Sequence, residues 1–177
     1  MSGLTFQFSV AGEKQVGLRF LDLGVKISNL TEPLQQIGDD YLEAERTTFE
    51  AEGAFEGKSR WKPLSDKYVA FKRKKFGWTS ILIATGKLHS AVTTRGAEGN
   101  IFRIGKLALE LGVNLPVNGW NLGLLHQLGT GKMPAREIIR ISEPQRKRWI
   151  DYIRNFYYKI EKEAENAFKA SMAKGAE

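Results

Sequence analysis

At 177 residues, with 42% hydrophobic and 27% charged residues, the chain suits one globular domain with a sizeable core. The absence of Cys excludes disulfides, cysteine nucleophiles and cysteine-ligated zinc, and no apolar run reaches the ~18 residues of a membrane helix. The net charge of +7 is uneven: positions 1–57 hold 4 basic and 10 acidic residues, whereas 58–75 hold 8 basic and 1 acidic. Such asymmetry predicts an acidic partner, either nucleic acid or the acidic N-terminal half of another copy.

The first ten residues lack a basic head and a long apolar run, so they do not read as a signal peptide. Instead Leu4, Phe6, Phe8 and Val10 alternate with Thr5, Gln7 and Ser9, the pattern of a half-buried strand. Val16, Phe20, Leu23 and Ile27 follow helical spacing and predict a helix over Glu13–Ser28, weakened by Gly17 and Gly24. Thr31-Glu32-Pro33 opens a second helix, expected to reach about Glu52, with Leu34, Ile37, Tyr41, Ala44 and Thr48 on its apolar stripe. Asp39, Asp40, Glu43 and Glu50 on its other face read as a solvated surface rather than a metal site.

Gly53 to Gly57 breaks the pattern, and a third helix starts near Ser65 and closes on Lys72-Arg73-Lys74-Lys75. Cations in a last helical turn are favoured by the macrodipole, and they also make an anion-contacting surface. The interleaved Trp61, Tyr68, Phe71, Phe76 and Trp78 are expected to pack this segment down rather than to stack on bases. A short helix is expected from Thr85 to Ala91. Val92–Arg95 and Ile101–Ile104 then read as a hairpin around a Gly-containing loop, and the alternation of Leu107, Leu109 and Leu111 as a further strand. Asn114 to Gly119 reads as a loop, Trp120 to Leu128 as a short helix ended by Gly129, and Ile138, Ile139 and Ile141 as a last strand. Ser142-Glu143-Pro144-Gln145 is a capping pattern that opens the longest helix, with Trp149, Ile153, Phe156, Ile160, Ala164 and Ala167 on its apolar stripe.

The stretch from Leu125 to Arg136 is a shaped loop. An apolar run reaches His126-Gln127, two glycines loosen the backbone, and Pro134 stiffens it. His126, Gln127, Gly129 and Pro134 are expected to set its shape, while Lys132 and Arg136, with Lys72, Arg73, Lys74 and Lys75, are the candidate interaction residues. No catalytic, cofactor or metal residues are assigned. Gly129-Thr130-Gly131-Lys132 fails as a phosphate loop, because His126 and Met133 stand where Gly and Ser or Thr are needed. His89 and His126 are the only histidines, and neither has a helix-spaced His partner. A hydrolase built on His126 lacks a nucleophile or carboxylate at a recognisable spacing.

Several of these stretches, taken in order, resemble the phage virion morphogenesis family, the tail-completion proteins of Mu-like phages. The residues are Trp61-x-Pro63-Leu64-Ser65 with Tyr68 and Lys72; Leu82 with Thr85-Gly86-x-Leu88; His126-Gln127-x-Gly129; and Met133-Pro134-Ala135-Arg136 before a Ser142-capped helix. The resemblance spans Trp61 to Ile153. It implies a non-enzymatic virion protein that completes the tail or joins it to the head at the neck, assembled in the host bacterial cytoplasm. It also implies partners among other tail or head-connector proteins and a ring of its own copies, often six among related neck proteins, from an intact phage or a prophage.

The reading is therefore an α+β protein, with a small, mainly antiparallel sheet packed by a long helix of the N-terminal half and a long C-terminal helix. Residues 1–57 supply the N-terminal strand and acidic helices, 58–170 the core with the basic segment, and 171–177 a loose tail, within one domain overall. The rival reading is a basic nucleic-acid-binding module that contacts phage DNA through Lys58–Lys75.

Overall fold

A computed structural model describes residues 4–9 and 29–174. The expected helix over Glu13–Ser28 lies outside the described residues. The elements are β1 (Leu4–Ser9), α1 (Thr31–Glu50), α2 (Asp66–Phe76), α3 (Lys87–Thr93), β2 (Asn100–Ile104), β3 (Ala108–Val113), β4 (Pro116–Val117), β5 (Trp120–Asn121), α4 (Leu122–Leu128) and α5 (Glu143–Lys174). This is the expected α+β arrangement: an antiparallel sheet of order β1-β3-β2, against which α1 packs, with α5 packed in turn along α1.

The stripe read from α1 is the stripe that is buried: Leu34, Ile37, Tyr41, Ala44 and Thr48 all lie inside. Leu34, Ile37 and Tyr41 meet Leu109 and Leu111 of the central strand and Trp149 and Ile153 of α5 in one cluster. Each fully buried apolar side chain of this size contributes about 1.5–3 kcal/mol. The helix comes so close to the sheet that a Cβ on Gly38 would stand 2.4 Å from the Phe102 ring. The C-terminal helix starts as its capping pattern predicts. Ser142 Oγ accepts from the Gln145 amide at 3.1 Å, and Gln145 Oε1 accepts from the Ser142 amide at 3.4 Å. The helix then continues to Lys174, beyond the point where the sequence reading began a loose tail.

Asp40 is not simply solvated. It accepts from Arg148 Nε at 3.0 Å and from Trp149 Nε1 at 2.7 Å, so it ties α1 to α5. Arg148 also pairs with Glu56, which in turn accepts from the Ser142 hydroxyl.

Three elements differ from the sequence reading. Val92 and Thr93 close α3 instead of forming a hairpin arm, because Ala91 and Val92 are fully buried in a second cluster with Phe49, Trp61 and Leu115. The hairpin is β2–β3, and its turn is closed by the Gly105 amide on the Ala108 carbonyl at 2.8 Å. The loop over Asn114–Gly119 contains a second, two-residue hairpin, β4–β5, whose Asn118 and Gly119 both have positive φ, as such a tight turn requires. Ile138, Ile139 and Ile141 form no strand. Ile138 is buried, but Gln127 occupies the place of a neighbouring strand: its Oε1 accepts from the Ile138 and Ile139 amides at 2.9 and 3.1 Å, and its Nε2 donates to the Ile139 carbonyl at 3.0 Å.

Candidate functional site

Segments far apart in sequence close around one groove of about 800 Å³. Its walls are the entry to α2 with Leu64 and Tyr68, the turn from Leu82 to Leu88, and the stretch from His126 to Arg136. This volume is in the range that accommodates a ligand or a few side chains of a partner. The stretches singled out in the sequence, Pro63-Leu64-Ser65, Thr85-Gly86-x-Leu88, His126 and Met133-Pro134-x-Arg136, thus meet at one place. Leu82 holds φ at 61°, a left-handed conformation uncommon for a bulky residue.

Two expected surface cations lie in the groove wall instead. Arg136 is 5% exposed and Lys72 is 1% exposed. Arg136 Nε donates to the Lys62 carbonyl at 2.9 Å and its Nη2 to the Pro63 carbonyl at 3.2 Å. Lys72 Nζ donates to the carbonyls of Ser80 and Ile83. These contacts correct the expectation that both residues present their charge outward. The reason is that the segments 58–65 and 77–86 contain little regular structure, so their carbonyls lack ladder partners and draw in the cations. Burial lowers the pKa of both groups; the Glu52 carboxylate opposes the shift at Lys72, and Tyr68 opposes it at Arg136. No ion pair joins either cation to a carboxylate among the described residues.

Lys132, Arg73, Lys74 and Lys75 are exposed, Lys132 at the groove mouth and the other three at the end of α2. The aromatics divide. Trp61 is buried, packs edge-on against Phe49 and donates from Nε1 to the Glu137 carbonyl at 2.8 Å. Tyr68, Phe71 and Trp78 are instead 43%, 48% and 47% exposed, contrary to the expectation that they pack down. Lys75 Nζ lies 5.5 Å from the ring centres of both Phe71 and Phe76.

The loop from His126 to Arg136 is fixed by contacts along its length. The Arg136 amide donates to the His126 carbonyl at 2.7 Å, and Thr130 and Met133 exchange backbone bonds at 2.7 and 3.2 Å. Thr130 Oγ1 also accepts from the amides of Lys132 and Met133 at 3.3 and 3.1 Å, a role the sequence reading missed although a Thr between two glycines suits such a turn. Gly129 has φ of 71°, and a Cβ there would stand 2.5 Å from the Ala135 amide nitrogen, so this position needs Gly. Pro134 lines the groove. Burial, and then the Arg136 charge, pushes the His126 imidazole down to about 4, so it is neutral at pH 7. Its Nδ1 is buried and makes no hydrogen bond among the described residues, including to any hydroxyl or carboxylate.

A second buried polar group escaped the sequence reading. Glu45 is wholly buried beside Tyr41 on α1, and burial raises its pKa to about 8 against the opposing charge of Lys58, 4.0 Å away. Among the described residues no group of His, Asp and Glu is placed to hold a metal ion, and no helix is long and apolar enough to cross a membrane.

The fold and groove describe a small α+β protein with a recess walled by irregular backbone. The family model for phage virion morphogenesis matches residues 12–110, more than half of the sequence, and the chain belongs to that family. The match takes in the Trp61 and Thr85 stretches and ends before the His126 loop. Comparison with curated proteins and with solved structures finds no match.

Proposed function

We propose that this chain is a non-enzymatic structural protein that completes the phage tail or joins it to the head at the neck. The observation that carries the reading is membership of the virion morphogenesis family. The surface charge supports assembly with further copies: Asp39, Glu43 and Glu50 are exposed on α1, whereas Arg73, Lys74 and Lys75 are exposed at the end of α2. A ring repeats one contact between two different patches, and these two patches have opposite sign. The other partners are tail or head-connector proteins. The test is deletion of the gene from an inducible phage or prophage, followed by electron microscopy of the lysate. The reading expects separate heads and tails, or tails of abnormal length, with normal particles restored by the chain supplied in trans. Normal particles without it would overturn the reading.

A second reading, contact with phage DNA, is favoured by the exposed Tyr68, Phe71 and Trp78 beside the exposed cations of α2. It expects binding of a labelled oligonucleotide with a steep salt slope that Lys74→Glu and Lys75→Glu reduce.

A further inference from the structure

The residues that line the groove include three cations, Lys72, Lys132 and Arg136, and no Asp or Glu. The remaining walls are largely apolar: Leu64, Leu82, Leu88, Leu122, Met133 and Pro134. Two of the cations are at depth and only Lys132 is at the mouth. The Arg136 guanidinium uses Nε and Nη2 on carbonyls, and Nη1 makes no hydrogen bond among the described residues. Next to it, Nδ1 of His126 is also without a partner among the described residues. A recess of this composition has an unbalanced positive field inside an apolar enclosure, where a charge interaction is worth more than in water.

We infer that the groove receives an apolar peptide segment bearing a carboxylate, supplied by a different virion protein. The carboxylate is met by Lys132 at the mouth and by the unused donors of Arg136 inside, while one or two apolar side chains fill the space between Leu82, Leu88 and Met133. Guanidinium and carboxylate are matched in shape and charge, and the apolar walls add area and exclude water. A nucleic-acid backbone fits less well. Its phosphates bring no apolar side chain to the walls at Leu64, Leu82, Leu88 and Met133. A second copy is the competing occupant, and the light-scattering arm of the test separates it. This inference concerns the ligand chemistry of the groove and holds whether the protein acts at the tail end or at the neck.

The test uses the full chain and a display library of random eight-residue peptides, followed by anisotropy with the labelled peptides that emerge. The expected winners carry Asp, Glu or a free C-terminal carboxylate among Leu, Ile, Phe or Met. Their affinity falls at least tenfold when the acid is replaced by its amide. It falls similarly in Lys132→Glu, which reverses the charge at the mouth, and in Thr85→Trp, which fills the groove without adding charge; both positions are exposed, and both variants should keep the parent melting temperature. Lys75→Glu, outside the groove, leaves peptide affinity unchanged. Failure to select any peptide, winners indifferent to the acid, or equal loss in Lys75→Glu would overturn the inference. So would a labelled DNA duplex whose binding is abolished by Thr85→Trp, or light scattering in which Thr85→Trp dissolves a self-assembled form.

Discussion

The two halves of the interior solve the same problem differently. Where α1 meets α5 and the sheet, polar groups are matched by carboxylates: Asp40 holds Arg148 and Trp149, and Glu56 holds Arg148 and Ser142. Around the groove, the buried cations Lys72 and Arg136 are matched by backbone carbonyls, and Gln127 serves amides that have no strand beside them. The first region is regular structure joined by side chains. The second is irregular backbone shaped by side chains, and it leaves positive charge without a compensating acid. That is why the groove is the region suited to receive a partner.

The largest expected effect tests the first region. Trp149 is 1% exposed, and Trp149→Ala should cost about 3–5 kcal/mol in chemical denaturation. A loss below 1 kcal/mol would mean that α5 does not anchor the core. The second region should respond to loss of a polar atom rather than of volume. Gln127→Leu keeps much of the bulk but strands two amides and a carbonyl, and Arg136→Met strands the carbonyls of Lys62 and Pro63. Each should cost about 1–3 kcal/mol. Equal stability in both variants would show that the groove backbone holds its shape without them.

The pH dependence separates the regions further. Glu45 has its folded pKa raised to about 8 from 4.5, so its contribution is complete below 4.5 and is lost as pH rises to about 8. His126 has its folded pKa lowered to about 4 from 6.5, so its contribution is complete above 6.5 and is lost as pH falls. Between pH 6.5 and 8 only the Glu45 effect operates among these two, and stability should fall by about 2 kcal/mol. Glu45→Gln should flatten that decline, and His126→Gln should flatten the decline on the acid side. An unchanged slope in Glu45→Gln would show that the carboxylate is not the titrating group. The smallest effect is expected on the aromatic surface: Phe71→Ala, at a residue 48% exposed, should shift stability by no more than about 0.5 kcal/mol.

Legibility in the sequence follows the same division. Periodicity identified the buried stripe of α1, the alternation of Leu109 and Leu111, and the start of α5, because in those elements the pattern of burial repeats. It failed at Ile138–Ile141, where three isoleucines look like a strand but are held by Gln127, eleven and twelve residues earlier for the two amides concerned. It failed at Val92, where β-branched residues close a helix because that helix is buried. At the candidate site, the need for glycine at position 129 could be read from backbone chemistry. The inward turn of Lys72 and Arg136 could not, since it depends on carbonyls at Ser80, Ile83, Lys62 and Pro63 that only the tertiary fold brings to these side chains. Nor could a charge count show which of the cations in Lys72–Lys75 stay outside.

The most direct measurement is the yield of joined, infectious particles when a phage lacking this gene is complemented with single charge reversals. Lys132→Glu alters the mouth of the groove, and Lys159→Glu alters an exposed position on α5 that pairs with the exposed Glu32. Both variants should melt with the parent protein. Lys132→Glu should sharply reduce particle yield while Lys159→Glu preserves it. Full yield with Lys132→Glu, together with loss in Lys159→Glu, would contradict the account and move the working surface to the C-terminal helix.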